Sequence, residues 1–125
     1  MTENEISKII VNACFKIHTS LGPGLLESVY EHVLEYELAK NNLDVIKQSP
    51  LPVIYEGVKM NLGFRTDLIV NRKVIVEIKS IDAIAPVHYK QILTYLKLTN
   101  IKLGLLINFN EYLIKDGIKR VVNNL

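Results

Sequence analysis

The sequence predicts one mixed α/β domain of the α+β kind, and three patterns carry that expectation. Apolar residues recur at helical intervals through the first forty positions, then at every second position up to residue 80, and a last third combines a helix with two short strands. At 125 residues with 49% hydrophobic and 22% charged side chains, the chain is long enough to bury a core but short for two domains. Residues 1–125 are therefore read as a single domain.

Thr2 and Glu5 have the spacing of a capping box, and Ile6, Ile9, Ile10, Ala13, Cys14, Ile17 and Leu21 follow in helical register, which predicts a helix over 3–20. Gly22-Pro23-Gly24 stops it. A second helix is expected from Leu25 to Lys40, its stripe formed by Leu26, Val29, Tyr30, Val33, Leu34 and Leu38. On the helical wheel Glu27 falls inside the edge of that stripe and Glu37 nearer its middle. A carboxylate turned toward a protein interior needs a cation, a metal or hydrogen-bond donors. Glu37 is read as a structural ion-pair partner, with Arg65 or Lys47 as candidates.

Residues 45–48 and 51–56 read as extended, Glu56-Gly57 as a turn, and Val58 to Val70 as a long strand bent at Gly63. Asn71-Arg72 turns the chain back into KVIVEIKS, residues 73–80. Pro86 suits the first turn of a helix reaching Thr99. Leu103 to Phe109 is a continuous apolar strand, Asp116-Gly117 a turn, and Ile118 to Val122 a last strand, giving the order ααβββαββ.

Composition narrows the function classes. No apolar run approaches the ~20 residues of a membrane helix, and the acidic, polar start MTENEISK is unlike a signal peptide, so a cytoplasmic location without membrane partners is expected. The single cysteine, Cys14, lies in an apolar pattern and reads as a buried structural thiol. A net charge of +2 permits nucleic-acid binding without demanding it. Lys115, Lys119 and Arg120 are candidate phosphate contacts, although a solvated face is the favoured reading.

The chemistry concentrates around KVIVEIKS. Along a strand Glu77 and Lys79 share one face with Ile75, while Val74, Val76 and Ile78 share the other. Taken alone, such a triplet is a solvated face or an ion pair. The Asn71-Arg72 turn, however, brings the segment around Asp67 beside Glu77, and Glu27 can reach the same place if the second helix packs on the sheet. Three carboxylates together repel unless a cation neutralises them, and oxygen donors without a Cys/His cluster point to a hard divalent ion, above all Mg²⁺. On the following helix His88, Gln91 and Tyr95 lie on one face, with Lys90, Thr94 and Lys97 turned away. His88 alone reads as a hydrogen-bonded rim histidine.

These residues resemble a known family. Gly24-Leu25-Leu26-Glu27-Ser28-Val29-Tyr30 fits G-x-x-E-x-x-Y, and with Asp67, Glu77-x-Lys79 and Gln91-x-x-x-Tyr95 the chain is similar to the GxxExxY group of the PD-(D/E)XK nuclease superfamily. The phrases FRTDLIV, VEIKSID, QILTYLKL and LGLLINFN extend the likeness over nearly the whole chain, and Thr66 stands where the superfamily's name has proline. The resemblance implies a restriction-endonuclease-like αβββαβ core, a mixed central sheet flanked by helices, with an added N-terminal helix and C-terminal strand. It also implies a nuclease hydrolysing DNA phosphodiester bonds with Mg²⁺, for which Mn²⁺ can substitute. By that likeness Asp67 and Glu77 would be the principal metal ligands, the Ile78 carbonyl would join them, and Glu27 would bind the metal directly or through water. Lys79 would orient or activate the attacking water, and Gln91 and Tyr95 would position Lys79 or the substrate backbone. Two readings compete: a non-catalytic nucleic-acid-binding or partner-binding module that keeps the fold, and a purely structural Glu77–Lys79 pair. The small size also suits a homodimer spanning both strands of a duplex.

Overall fold

A computed structural model describes residues 1–125, apart from the side chains of residues 61, 62 and 64. Its elements follow the expected order: α1 (Glu3–Leu21), α2 (Glu27–Lys40), β1 (Val45–Tyr55), β2 (Val58–Val70), β3 (Val74–Lys79), α3 (Pro86–Thr99), β4 (Leu103–Asn108), α4 (Ile114–Gly117) and β5 (Ile118–Val122). The five strands form one mixed sheet in the order β1-β2-β3-β4-β5. All neighbours pair antiparallel except β3 and β4, which the α3 crossover makes parallel. The core order αβββαβ runs from α2 to β4, with α1 and β5 added at the ends, as the resemblance implied.

Each side of the sheet has its own core. Val74, Val76 and Ile78 of β3 pack with Ile6, Ile10, Cys14, Leu34 and Leu38 beneath α1 and α2. Ile75 packs with Ile69, Leu106, Ile92, Tyr95 and Leu96 beneath α3. The alternation read from KVIVEIKS is therefore realised, with apolar anchors on the α1/α2 side and Glu77 and Lys79 following Ile75 toward α3. The capping box of Thr2 and Glu5 forms at 3.1 Å in both directions, and Cys14 is fully buried.

Four local expectations are corrected. Helix α2 begins at Glu27 with Leu26 as its cap, so Leu26 is 73% exposed and Val29 also faces solvent. Its buried residues are Tyr30, Glu31, Leu34 and Leu38, a stripe turned relative to the expected one. Glu37 pairs with Lys16 at 3.0 Å and Lys40 at 3.4 Å rather than with Arg65 or Lys47, because α1 lies alongside α2. The two extended pieces before residue 56 are one strand, β1, tolerated despite Pro50 and Pro52 because it lies at the sheet edge. The Asp116-Gly117 turn belongs to the single helical turn α4.

The pairing of β2 with β1 is irregular beside Gly63, where a bend is expected. Register shifts between Pro52 and Val53, opposite Gly63 and Met60, and a Cβ at Gly63 would collide with the Leu51 carbonyl.

Candidate active site

The site forms where β2 leaves β3. Their ladder contains three pairs, Val70 with Val74, Ile69 with Ile75 and Leu68 with Val76, and one step further the backbones no longer pair with each other. Two carboxylates take over the exposed amides. Glu77 Oε1 accepts from the Asp67 N–H at 3.1 Å, and Asp67 Oδ2 accepts from the Ile78 N–H at 2.7 Å. Each acidic side chain thus closes the fork onto the opposite strand, which fixes both at a short separation.

Helix α2 brings the third carboxylate through the G-x-x-E-x-x-Y segment. Tyr30 is fully buried, its ring stacked on Phe109 with centroids 4.4 Å apart and planes 6° from parallel. Its hydroxyl donates to the Gly22 carbonyl at 2.5 Å and accepts from the Leu25 N–H at 3.1 Å. That hold fixes the turn in which Gly22 and Gly24 adopt φ of 69° and 95°. The Leu25 carbonyl accepts from Ser80 Oγ at 2.6 Å, and Glu27 Oε2 accepts from the Ser80 N–H at 3.1 Å. The tyrosine anchors the turn, and the glutamate reaches the end of β3.

Behind Ser80, the fully buried Asn108 clamps the next residue. Its Oδ1 accepts from the Ile81 and Asn110 N–H groups at 3.1 and 3.2 Å, and its Nδ2 donates to the Ile81 carbonyl at 2.9 Å. The result is a cleft of about 810 Å³ whose polar lining includes Glu27, Ser28, Glu31, Gln48, Asp67 and Asp82. Glu31 is 7% exposed and its two carboxylate oxygens accept from Gln48 Nε2 at 2.9 and 3.0 Å, the same nitrogen lying 3.5 Å from Asp67 Oδ1.

The electrostatics follow from burial. Glu77 is 6% exposed, and desolvation followed by the Asp67 charge pushes its carboxyl up to about 8, against a smaller opposing pull from the Asp67 N–H and Lys79. Asp67 is also raised, first by burial and then by Glu27, while the Ile78 N–H and Lys79 hold it back. Glu31 is raised by burial, with Asp67 adding to the push and Gln48 opposing it. Tyr95 is raised by burial and by the Glu77 and Asp67 charges. A set of carboxyls lifted by desolvation and mutual repulsion is one that a cation would relieve.

The fork itself holds Asp67, Glu77 and the Ile78 backbone, the charges of Lys79 and Glu27 and the buried Tyr95 are felt there, and Glu27 reaches the neighbouring Ser80 amide from α2. Gln91 is exposed on α3, one turn before Tyr95. Glu77 is not on a solvated face. Nor does it form an ion pair with Lys79, since the ion pairs among the described residues are Lys16–Glu37, Lys40–Glu37 and Lys47–Glu35. His88 caps its own helix by accepting from the Ala85 N–H at 2.9 Å, as a rim histidine should. Arg120 is occupied by Asn4. Among the described residues no group of three or more His, Cys, Asp and Glu side chains is converged to hold a metal, and Glu27, Asp67 and Glu77 each bond to a backbone amide. Their donor chemistry, oxygen throughout, nonetheless fits a hard divalent ion.

Glu31, Gln48 and Asn108 were not singled out in the sequence. Glu31 follows Glu27 by four residues, which puts both on one helical face and was the available signal. The model of the PD-(D/E)XK nuclease superfamily matches residues 4–121. With the mixed sheet and the acidic fork at the end of β3, the chain belongs to that superfamily. Comparison with curated proteins and with solved structures found no match.

Proposed function

We propose that the protein is a Mg²⁺-dependent nuclease of the GxxExxY group that hydrolyses DNA phosphodiester bonds. The observation that carries this reading is the fork itself: the half-buried Asp67 and the buried Glu77, both raised, face each other where β2 and β3 part, with Lys79 on the Glu77 side of the strand. A divalent ion bound there would lower the pKa of water and polarise the scissile phosphate. Asp67, Glu77 and the Ile78 carbonyl would hold it, and Glu27 would close the set from α2. Lys79 supplies a fixed positive charge to orient the attacking water and stabilise charge gained by the phosphate. Tyr95 positions this group from α3, and the exposed Gln91 is free to meet the substrate backbone. A homodimer with two such sites would act on both strands of a duplex in the cytoplasm, and light scattering checks it by giving twice the chain mass.

Cleavage of single-stranded, duplex and branched DNA with Mg²⁺ or Mn²⁺ tests the reading. Glu77→Ala and Lys79→Ala are each expected to lower the rate by about 10³-fold or more while the chain stays folded. No cleavage of any substrate by the wild type would remove the enzyme reading. The engagement of Glu27, Asp67 and Glu77 with backbone amides favours a second reading, a nucleic-acid-binding or partner-binding module that keeps the fold without turnover. Titration with Mn²⁺ separates the two, since such a module binds no ion through Asp67.

A further inference from the structure

Glu31 needs an explanation that the nuclease roles do not supply. It is buried, its oxygens meet no Lys or Arg among the described ion pairs, and Lys47, the nearby cation, pairs with Glu35 at 3.9 Å instead. Burying a carboxylate with only a neutral partner is costly, so its place here calls for a reason beyond packing. The partner is unusual as well. Gln48 sits at φ 52°, in a region that non-glycine residues seldom occupy and that costs on the order of 1–3 kcal/mol. It lies in β1 between Lys47, which pairs with Leu68, and Ser49, which pairs with Thr66, and so stands opposite Asp67.

We infer that Glu31 and Gln48 are positioning residues for Asp67: Glu31 holds the Gln48 amide, and Gln48 steers Asp67 Oδ1 while the Ile78 N–H holds Oδ2. Held at Oδ2 by the Ile78 N–H at 2.7 Å and approached at Oδ1 by Gln48 at 3.5 Å, Asp67 lines the same cleft as Glu31 and Gln48. Partners of this kind govern metal affinity because they fix the orientation of the ligand. The inference rests on the metal-site reading of Asp67 for its consequence, but not for the geometry it asserts.

The test has two readouts. Gln48→Met keeps the side-chain length and removes the donor, and Glu31→Gln keeps an acceptor where Glu31→Ala does not. Hydrogen exchange at the Ile78 amide, followed by NMR without metal, is expected to speed up at least tenfold in Gln48→Met and Glu31→Ala and to stay within about threefold of wild type in Glu31→Gln. Mn²⁺ affinity, measured by calorimetry, is expected to fall by about 10-fold or more in the first two variants and to survive in the third. Unchanged Ile78 exchange in Gln48→Met overturns the inference whatever the protein does with metal. Faster exchange with unchanged Asp67-dependent Mn²⁺ binding overturns its consequence for the ion. If the wild type binds no Mn²⁺, the metal reading fails, and the Ile78 exchange alone decides whether Gln48 holds Asp67. Should Glu31→Ala not fold, Gln48→Met carries both readouts.

Discussion

Strand β3 is bound differently on its two edges. Toward β4 it keeps six consecutive parallel pairs, from Val74 with Leu103 to Lys79 with Asn108. Toward β2 it keeps three, and side chains replace backbone beyond Val76. The closed edge satisfies every step of the ladder and has only packing to offer. The open edge leaves amides and space that acidic side chains can occupy, and this is why the chemistry collects there. Substitutions on the two edges should therefore fail in different ways.

The largest contrast comes from Glu77 on the open edge. Its folded-state pKa of about 8 lies above the ordinary 4.5, so between those values the folded chain holds a proton that the unfolded chain has released. Stability therefore falls as pH rises through that window. Glu77→Gln, which does not titrate, should exceed the wild type at pH 9 by about 1–3 kcal/mol in urea melts with EDTA while being inactive in cleavage. On the closed edge, Gly104 faces Ile92, whose Cδ1 would lie 2.8 Å from an added Cβ. Gly104→Val should cost about 1–3 kcal/mol by the same melts and leave the cleavage rate per folded molecule unchanged.

Smaller effects sharpen the comparison. Tyr30→Phe removes the hydroxyl from the Gly22–Leu25 turn and should cost about 1 kcal/mol, with Glu27-dependent Mn²⁺ binding weakened although no metal ligand is altered. The Lys16–Glu37 pair lies far from either edge. Lys16 and Lys40 hold the Glu37 carboxyl below its ordinary range, so its contribution is present above the unfolded pKa and is lost as pH falls through the folded one. Lys16→Ala should flatten that acid limb slightly, without touching Mn²⁺ binding.

Much of this was legible in the sequence, for particular reasons. KVIVEIKS states its two faces outright, since only one of them carries charge, and Asp67 follows from the short turn that pairs its strand with β3. The face of α2 is less legible, because the helix starts only at Glu27, with Leu26 as its exposed cap, and the packing of its face on the sheet buries Glu31 along with Tyr30, Leu34 and Leu38. Gln48 was hidden by a backbone φ that its residue type does not advertise, in contrast with a glycine. Asn108 looked like the end of an apolar strand, and only the fold puts Ile81 against it. The partner of Glu37 depended on how two helices lie together, which the pattern of either helix alone does not determine.

The edge of β1 has a bearing on how copies of the chain meet. As the outermost strand it would offer its free side to any neighbouring sheet, yet Pro50 and Pro52 withhold two amide protons there. Beyond them the hairpin carries Ile54, Tyr55, Val58 and Met60 into solvent. Sheet-to-sheet extension along this border is thus interrupted at its centre. Two copies that associate must use side-chain packing or another border, and fibre-like growth through β1 is disfavoured from the start.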